Sequence, residues 1–324
     1  MKLEKRTLSR DLETRKDYIL DRWVYIASDR KKRPKEYQKD TINKERKNCF
    51  FCSGNENLTP HEIGRVEENG KWKIRWFPNK FPVVNLEKNK KSLTKNSFLI
   101  KQSSYGHHEI IAECPEHNKQ LWDLDIKHIT QLLEVYKQRI TDLDKEKNIK
   151  YTLIFKNHGR EAGASLIHSH TQLIALNKIP TIINNKIKAT KKYKSCPYCK
   201  IIRIEKNSKR KCFENKTFIA FTPFASRFNY ELQIFPKKHI TNITKLNNEQ
   251  TKDLALILKK ALKKLKTINA SYNFFIHYAP NKKDLHFHIE ITPRIASWGG
   301  FELGTEDIIN SVLPEDAAQF YKKK

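Results

Sequence analysis

SLIHSHTQLIAL, residues 165–176, alternates side chains in the manner of a β-strand and carries two histidines one residue apart, His168 and His170. DLHFHIEITP, residues 284–293, repeats the device with His286 and His288. Period-two spacing places both histidines of a pair on one face of the strand. A single His-x-His is a weak signal. Two of them, with matched neighbours in matched order, describe a chain written twice.

Each half opens with a Cys-x-x-Cys pair, Cys49/Cys52 and Cys196/Cys199. Each continues through a strand ending in Pro (HEIIAECP, 108–115; YELQIFP, 230–236) to a histidine, His117 or His239. An amphipathic helix is predicted next, over 118–146 and 247–267, from apolar residues at i, i+3, i+4 and i+7. A further strand, 149–159 or 271–280, leads to the His-x-His. This is a duplicated domain, not a short solenoid period. Residues 1–178 form the first half and 179–324 the second. Residues 176–195 read as the link, and 88–96 and 207–211 as exposed loops.

The two Cys pairs are much farther apart than the roughly 15–20 residues of a compact four-Cys finger, so each needs ligands from elsewhere. Neither clearly opens a helix after a strand, as a redox motif would. One metal site is therefore expected from Cys49, Cys52, His117 and His168, with His107 and His108 as rival ligands. The other is expected from Cys196, Cys199, His239 and His286. Four protein ligands close a zinc site, so two structural Zn²⁺ per chain are expected. Cys114 and Cys212 read as packing residues.

That leaves His170 and His288, and only one has a glycine turn before it. NHGREAGAS, residues 157–165, precedes His170; HYAPNKKD, residues 277–284, has no glycine. A glycine turn lets backbone N–H groups approach an anion. The first half thus has the parts to hold a phosphate beside an imidazole, and the second reads as a degenerate copy. No phosphate-loop Lys-Ser/Thr motif accompanies it, which disfavours kinase chemistry. A neutral histidine can attack a phosphoanhydride directly.

The formal charge of +28 raises the question of nucleic acid. Lysines scattered in pairs along the chain, with no nucleic-acid-binding motif, read instead as a solvated surface. There is no apolar run of membrane-spanning length, and MKLEKRTLSRDLETRKDY lacks the apolar centre of a secretory signal. A cytoplasmic protein binding neither membrane nor nucleic acid is expected.

Taken with LDRWVYIASDRKKRP (20–34), NCFFCSGNENLTPHEI (48–63), FPNKFPVV (77–84) and TPFASRFNYELQIFPKKHI (222–240), these blocks resemble the galactose-1-phosphate uridylyltransferase family of the histidine-triad superfamily. The resemblance extends into HFHIEITPRIASWGGFELGTEDIINSVLPEDAA (286–318) and so runs the length of the chain. It implies an α+β fold of duplicated histidine-triad-like domains, with antiparallel half-barrel sheets and flanking helices. It also implies a ping-pong transfer. His170 takes the uridylyl group of UDP-glucose, releasing glucose 1-phosphate, and passes it to galactose 1-phosphate. The His168 carbonyl would hold Nδ1–H of His170. Ser165 and Gln172 would donate to phosphoryl oxygens, with Asn157, Gly163 and Ala164 adding contacts. Arg30, Arg33 and Asn79 would meet the nucleotide. Phe301 and Glu302 would meet the hexose, often from the other subunit of a homodimer.

Two features depart from the usual pattern. Ser169 stands where these uridylyltransferases commonly have Pro, as in the related ADP-glucose phosphorylases, which pass AMP from ADP-glucose to phosphate. Cys196 and Cys199 replace a carboxylate-and-histidine set, favouring zinc over iron. A nucleotide- or nucleic-acid-binding zinc protein without turnover is the reading of a different class.

Overall fold

The computed structural model describes residues 13–16, 23–26, 49–86, 96–281 and 283–323. Arg30 and Arg33, and all but Asn96 of the loop predicted at 88–96, lie outside them.

The protein is α+β, and its sheets are antiparallel. β1 (Glu13–Lys16), β2 (Trp23–Ile26) and β5 (Lys101–Ser103) form a small sheet in the order β2-β1-β5. The large sheet has ten strands. From the first half come β3 (Gly64–Glu68), β4 (Lys71–Pro78), β6 (Gly106–Ala112), β7 (Tyr151–His158) and β8 (His170–Leu176). From the second come β9 (Lys211–Glu214), β10 (Phe218–Phe221), β11 (Leu232–Pro236), β12 (Tyr272–His277) and β13 (His288–Pro293). Their order, β3-β4-β6-β8-β7-β12-β13-β11-β10-β9, is the duplication seen in space: β6, β8 and β7 mirror β11, β13 and β12. The halves join where β7 meets β12, with Phe155 opposite Phe275 and His158 opposite Tyr272.

The two repeat helices, α1 (Ile126–Asp144) and α4 (Asn248–Thr267), pack on each other and on this sheet. Leu132, Leu133, Tyr136, Leu254, Leu258 and Leu262 join Ile154, Leu173, Ile289 and Ile291 in one core. Buried aliphatic and aromatic area of this extent is the main stabilising term. The sheet then has a helix-covered face, taking Thr171, Leu173 and Ala175 of β8, and an opposite face, taking His170 and Gln172.

Several elements differ in extent from the sequence reading, among them three with a visible physical setting. α1 begins at Ile126 because Asp125 caps it, accepting the His128 N–H at 2.7 Å. The link holds a helix, α2 (Thr181–Thr190), whose Ile183 and Ile187 are buried. The histidine strands begin at His170 and His288, so His168 and His286 sit just ahead of the ladder. α4 begins where expected, under a capping box between Asn247 and Gln250. α3 (Pro197–Lys206), α5 (Gly300–Thr305) and α6 (Pro314–Lys322) complete the chain. No described helix is long and apolar enough to cross a membrane.

Candidate active site and metal centres

The chain brings together both expected sets of metal ligands. In Cys49, Cys52, His117 and His168, the ligand atoms lie within 4.8 Å of one another, and all four residues are buried. Cys52 Sγ is 3.4 Å from His117 Nδ1 and 3.5 Å from His168 Nδ1; Cys49 Sγ is 3.6 Å from His168 Nδ1. Tetrahedral zinc, with Zn–S about 2.3 Å and Zn–N about 2.0 Å, requires S···N edges of about 3.5 Å. The second set repeats this: Cys199 Sγ is 3.5 Å from both His239 Nδ1 and His286 Nδ1, and Cys196 Sγ is 3.9 Å from His286 Nδ1.

The outer rings repeat as well. His168 Nε2–H donates to the Cys114 carbonyl at 2.7 Å, and His286 Nε2–H to that of Pro236 at 3.0 Å. Each bond turns Nδ1 inward as the ligating nitrogen. Burial pushes both rings down to about 4, which keeps them neutral and able to ligate. Burial and the adjacent Cys196 push the Cys199 thiol up to about 11, so a thiolate there calls for a compensating cation. His107 and His108 belong to neither cluster. Cys196 opens a helix, as the N-cap of α3, but no strand leads into it, so the redox arrangement is absent here, in line with the sequence reading.

On the opposite face, beside the first cluster, lies a cleft. Phe50, Phe51, Leu58, Phe77, Phe81 and Ile110 give it apolar walls; Asn79, Lys80, Ser165, His170 and Gln172 give it polar groups. His170 Nδ1–H donates to the His168 carbonyl at 2.8 Å, so the lone pair lies on Nε2. The edge of Phe51 packs on the ring at 5.3 Å between centroids. Gln172 follows two residues along β8 on the same face. Its Oε1 is 3.1 Å from Nε2 of His108, whose Nδ1 accepts the Val83 N–H at 3.2 Å.

His108, named in the sequence reading only as a rival ligand to His117, has a different place. Its signal was parity: two residues before Ile110, which lines the cleft, it lies on that face of β6 and bonds Gln172 and Asn79 of the cleft's lining, not the metal cluster. His107 points the other way and bonds Glu146 at 2.9 Å.

The glycine turn is built as expected of glycine. Gly159 and Gly163 have φ of 82° and 77°, on either side of a single turn at Arg160–Ala162. Within it, the Gly163 N–H donates to the Arg160 carbonyl and the Ala164 N–H to that of Gly159. Side-chain groups able to meet an anion therefore lie with Ser165, Lys80 and Gln172. Asn157 Oδ1 accepts from Asn273 at 2.9 Å, tying this turn to the second half. Phe301 and Glu302 are not among the cleft's lining. Phe301 is exposed, and Glu302 caps α5 through the Gly299 N–H.

Behind the cleft, on the helix-covered face, a buried Glu113–Lys156 ion pair sits at 2.7 Å. Burial pushes the Glu113 carboxyl up, but Lys156 and the hydroxyls of Ser169 and Thr171 outweigh that and hold it below the ordinary range.

The second half shows what became of its copy. His288 Nδ1–H donates to the His286 carbonyl at 2.8 Å, as in the first half. Lys186 then reaches from α2 to within 2.9 Å of both His288 Nε2 and His277 Nδ1, and also bonds Glu290. The His288 lone pair is engaged by an ammonium, and Lys186 fills the place where a phosphate would have to come.

Residues 4–180 match the family model described as galactose-1-phosphate uridyl transferase, N-terminal domain. The chain belongs to this family. Its residues 116–321 also match a domain of unknown function. ADP-glucose phosphorylase of Arabidopsis thaliana is 34% identical over 96% of this chain and 92% of that protein. Galactose-1-phosphate uridylyltransferase of Thermotoga maritima is 30% identical over 95% of this chain and 97% of its own. A crystal structure of the Arabidopsis phosphorylase with bound ADP-glucose superimposes with a TM-score of 0.76, at 32% identity, covering 96% and 98% of the two chains. Family membership makes this protein a nucleotidyltransferase.

Proposed function

We propose that the protein transfers the nucleotidyl group of a nucleoside diphosphate sugar through a covalent bond to His170, with UDP-glucose as donor and a hexose 1-phosphate, galactose 1-phosphate foremost, as acceptor. The observation that carries this is the His170 Nδ1–His168 carbonyl bond, which fixes the nucleophilic tautomer inside a cleft with aromatic walls and few polar groups.

The Nε2 lone pair attacks the α-phosphorus. The bond from phosphorus to the bridging oxygen breaks, and the sugar 1-phosphate leaves with that electron pair. The imidazolium formed shares its Nδ1 proton with the His168 carbonyl, which lowers the cost of the developing charge. Gln172 and Ser165 donate to the non-bridging oxygens. Gly163 and Ala164 shape the turn, and Asn157 braces it. Asn79, Arg30 and Arg33 meet the nucleotide, and the Phe walls take the base. A phosphate oxygen of the acceptor then attacks phosphorus from the vacated side and the N–P bond breaks. Phe301 and Glu302 reach the hexose of a partner copy in a homodimer.

Zinc fits both clusters, held by Cys49, Cys52, His117 and His168, and by Cys196, Cys199, His239 and His286. Each ion would contribute structure, the first holding the Cys49–Cys52 turn and His168 in place beside His170.

A second reading, transfer of AMP from ADP-glucose to inorganic phosphate, is favoured by the similarity to the Arabidopsis phosphorylase and by Ser169. Labelled UDP-glucose and ADP-glucose, each offered with galactose 1-phosphate or with phosphate, separate the two. Glucose 1-phosphate released from the ADP sugar alone, with phosphate alone as acceptor, would sink the first reading.

A further inference from the structure

Ser169 separates the two histidines in sequence, yet its side chain leaves the cleft. Its hydroxyl lies on the helix-covered face, donating to Glu113 Oε2 and accepting from Lys156 Nζ at 3.0 Å. Lys156 also donates to Glu113 at 2.7 Å and to the His170 carbonyl at 3.2 Å, so its three protons meet three acceptors. Thr171 donates to Glu113 Oε1 and so accepts from the Tyr136 hydroxyl of α1 at 2.6 Å. The backbone is held too: the Glu113 N–H bonds the Ser169 carbonyl at 3.1 Å, and His128 donates to the Glu113 carbonyl at 2.6 Å. Glu113, Lys156, Ser169 and Thr171 are each at most 2% exposed. Serine, peptide carbonyl and threonine on both sides of His170 are thus fastened to one ion pair. A fully satisfied buried network holds its members rigidly.

We propose that Lys156 and Glu113 are positioning residues for His170, with Ser169 as their link. The residue between the histidines then acts on the reaction from the far side of the sheet and does not read the nucleobase. This rests on the reading of His170 as the nucleophile.

The test compares wild type with Ser169→Ala, Lys156→Met and the charge-neutral pair Lys156→Met/Glu113→Gln. The pair guards against a single variant that fails to fold around an unpaired carboxylate. For each, kcat and KM are measured with UDP-glucose and with ADP-glucose, together with hydrogen exchange of the His170 Nδ1–H by NMR of ring-labelled protein. The expected result is a fall in kcat of about tenfold for Ser169→Ala and more for the others, as for loss of bonds to a buried charge. KM and the ratio of rates with the two sugars stay as in wild type, and exchange of the Nδ1–H quickens. An unchanged kcat, or a changed sugar preference in Ser169→Ala, overturns the proposal. Should wild type transfer neither nucleotide, the nucleophile reading fails. The exchange rate then decides alone: unchanged protection across the variants refutes the positioning role.

Discussion

His170 Nδ1 lies 2.8 Å from the carbonyl oxygen of His168, a residue whose own ring Nδ1 turns toward two cysteine sulfurs. One residue therefore serves two centres: its side chain completes a metal cluster and its backbone sets the tautomer of its neighbour. The two roles separate on mutation. His170→Ala should lower transfer by at least about a thousandfold with metal content unchanged, because the ring it removes is no ligand. Added imidazole should restore part of the rate in His170→Gly. Activity assays paired with elemental analysis check both.

The metal clusters differ in exposure, and that orders their loss. The first is buried on all sides, whereas the His239 side chain of the second is 34% exposed. Elemental analysis should find two zinc per chain, with Cys49→Ser and Cys196→Ser each removing one. A chelator should empty the second site first, and transfer should fall only as the first is emptied. Cys114→Ser and Cys212→Ser should leave both counts unchanged.

His158 gives the protein an acid-side sensitivity apart from the metals. It stacks on Tyr272 and packs against the edge of Trp122, and burial pushes its ring down to about 4 from 6.5. A depressed histidine is neutral when folded and takes up a proton on unfolding. Its contribution is therefore intact above pH 6.5 and is lost as pH falls toward about 4. In that window the slope of stability against pH should flatten by up to about 1.4 kcal/mol per unit in His158→Gln. Chemical denaturation at several pH values measures it.

The two turn glycines should respond unequally to alanine. Both have positive φ, but a Cβ at Gly159 would strike Ser271, while one at Gly163 meets open space. Gly163→Ala should cost about 1 kcal/mol of stability. Gly159→Ala should cost about 2–3 kcal/mol and slow transfer as the turn shifts. Thermal melts and kcat report the two effects.

Much of this architecture was legible because metal chemistry leaves spacing behind it. Cys49/Cys52 and His168, or Cys196/Cys199 and His286, must recur in order if the domain is copied, and the sheet displays the copy directly. What stayed hidden was side-chain direction. His108 and His107 are adjacent, and their opposite parity says which lies on the cleft's face and which meets Glu146 only once Ile110 is known to line the cleft. Ser169 drew notice as a departure in type, but its direction depends on Glu113 and Lys156, distant partners that no local period links. Lys186 was hidden for a related reason, since the link between the halves looked featureless until α2 placed its ammonium beside His288.

The central claim is the bond to His170, and α-phosphorus label follows it directly. Wild-type protein would be mixed with [α-³²P]UDP-glucose or [α-³²P]ADP-glucose and no acceptor, then denatured and digested. The account predicts up to one label per chain on the peptide containing His170, stable to base, labile to acid, and discharged by acceptor added before denaturation. No labelled protein from either sugar, with transfer still measurable once acceptor is present, would contradict it.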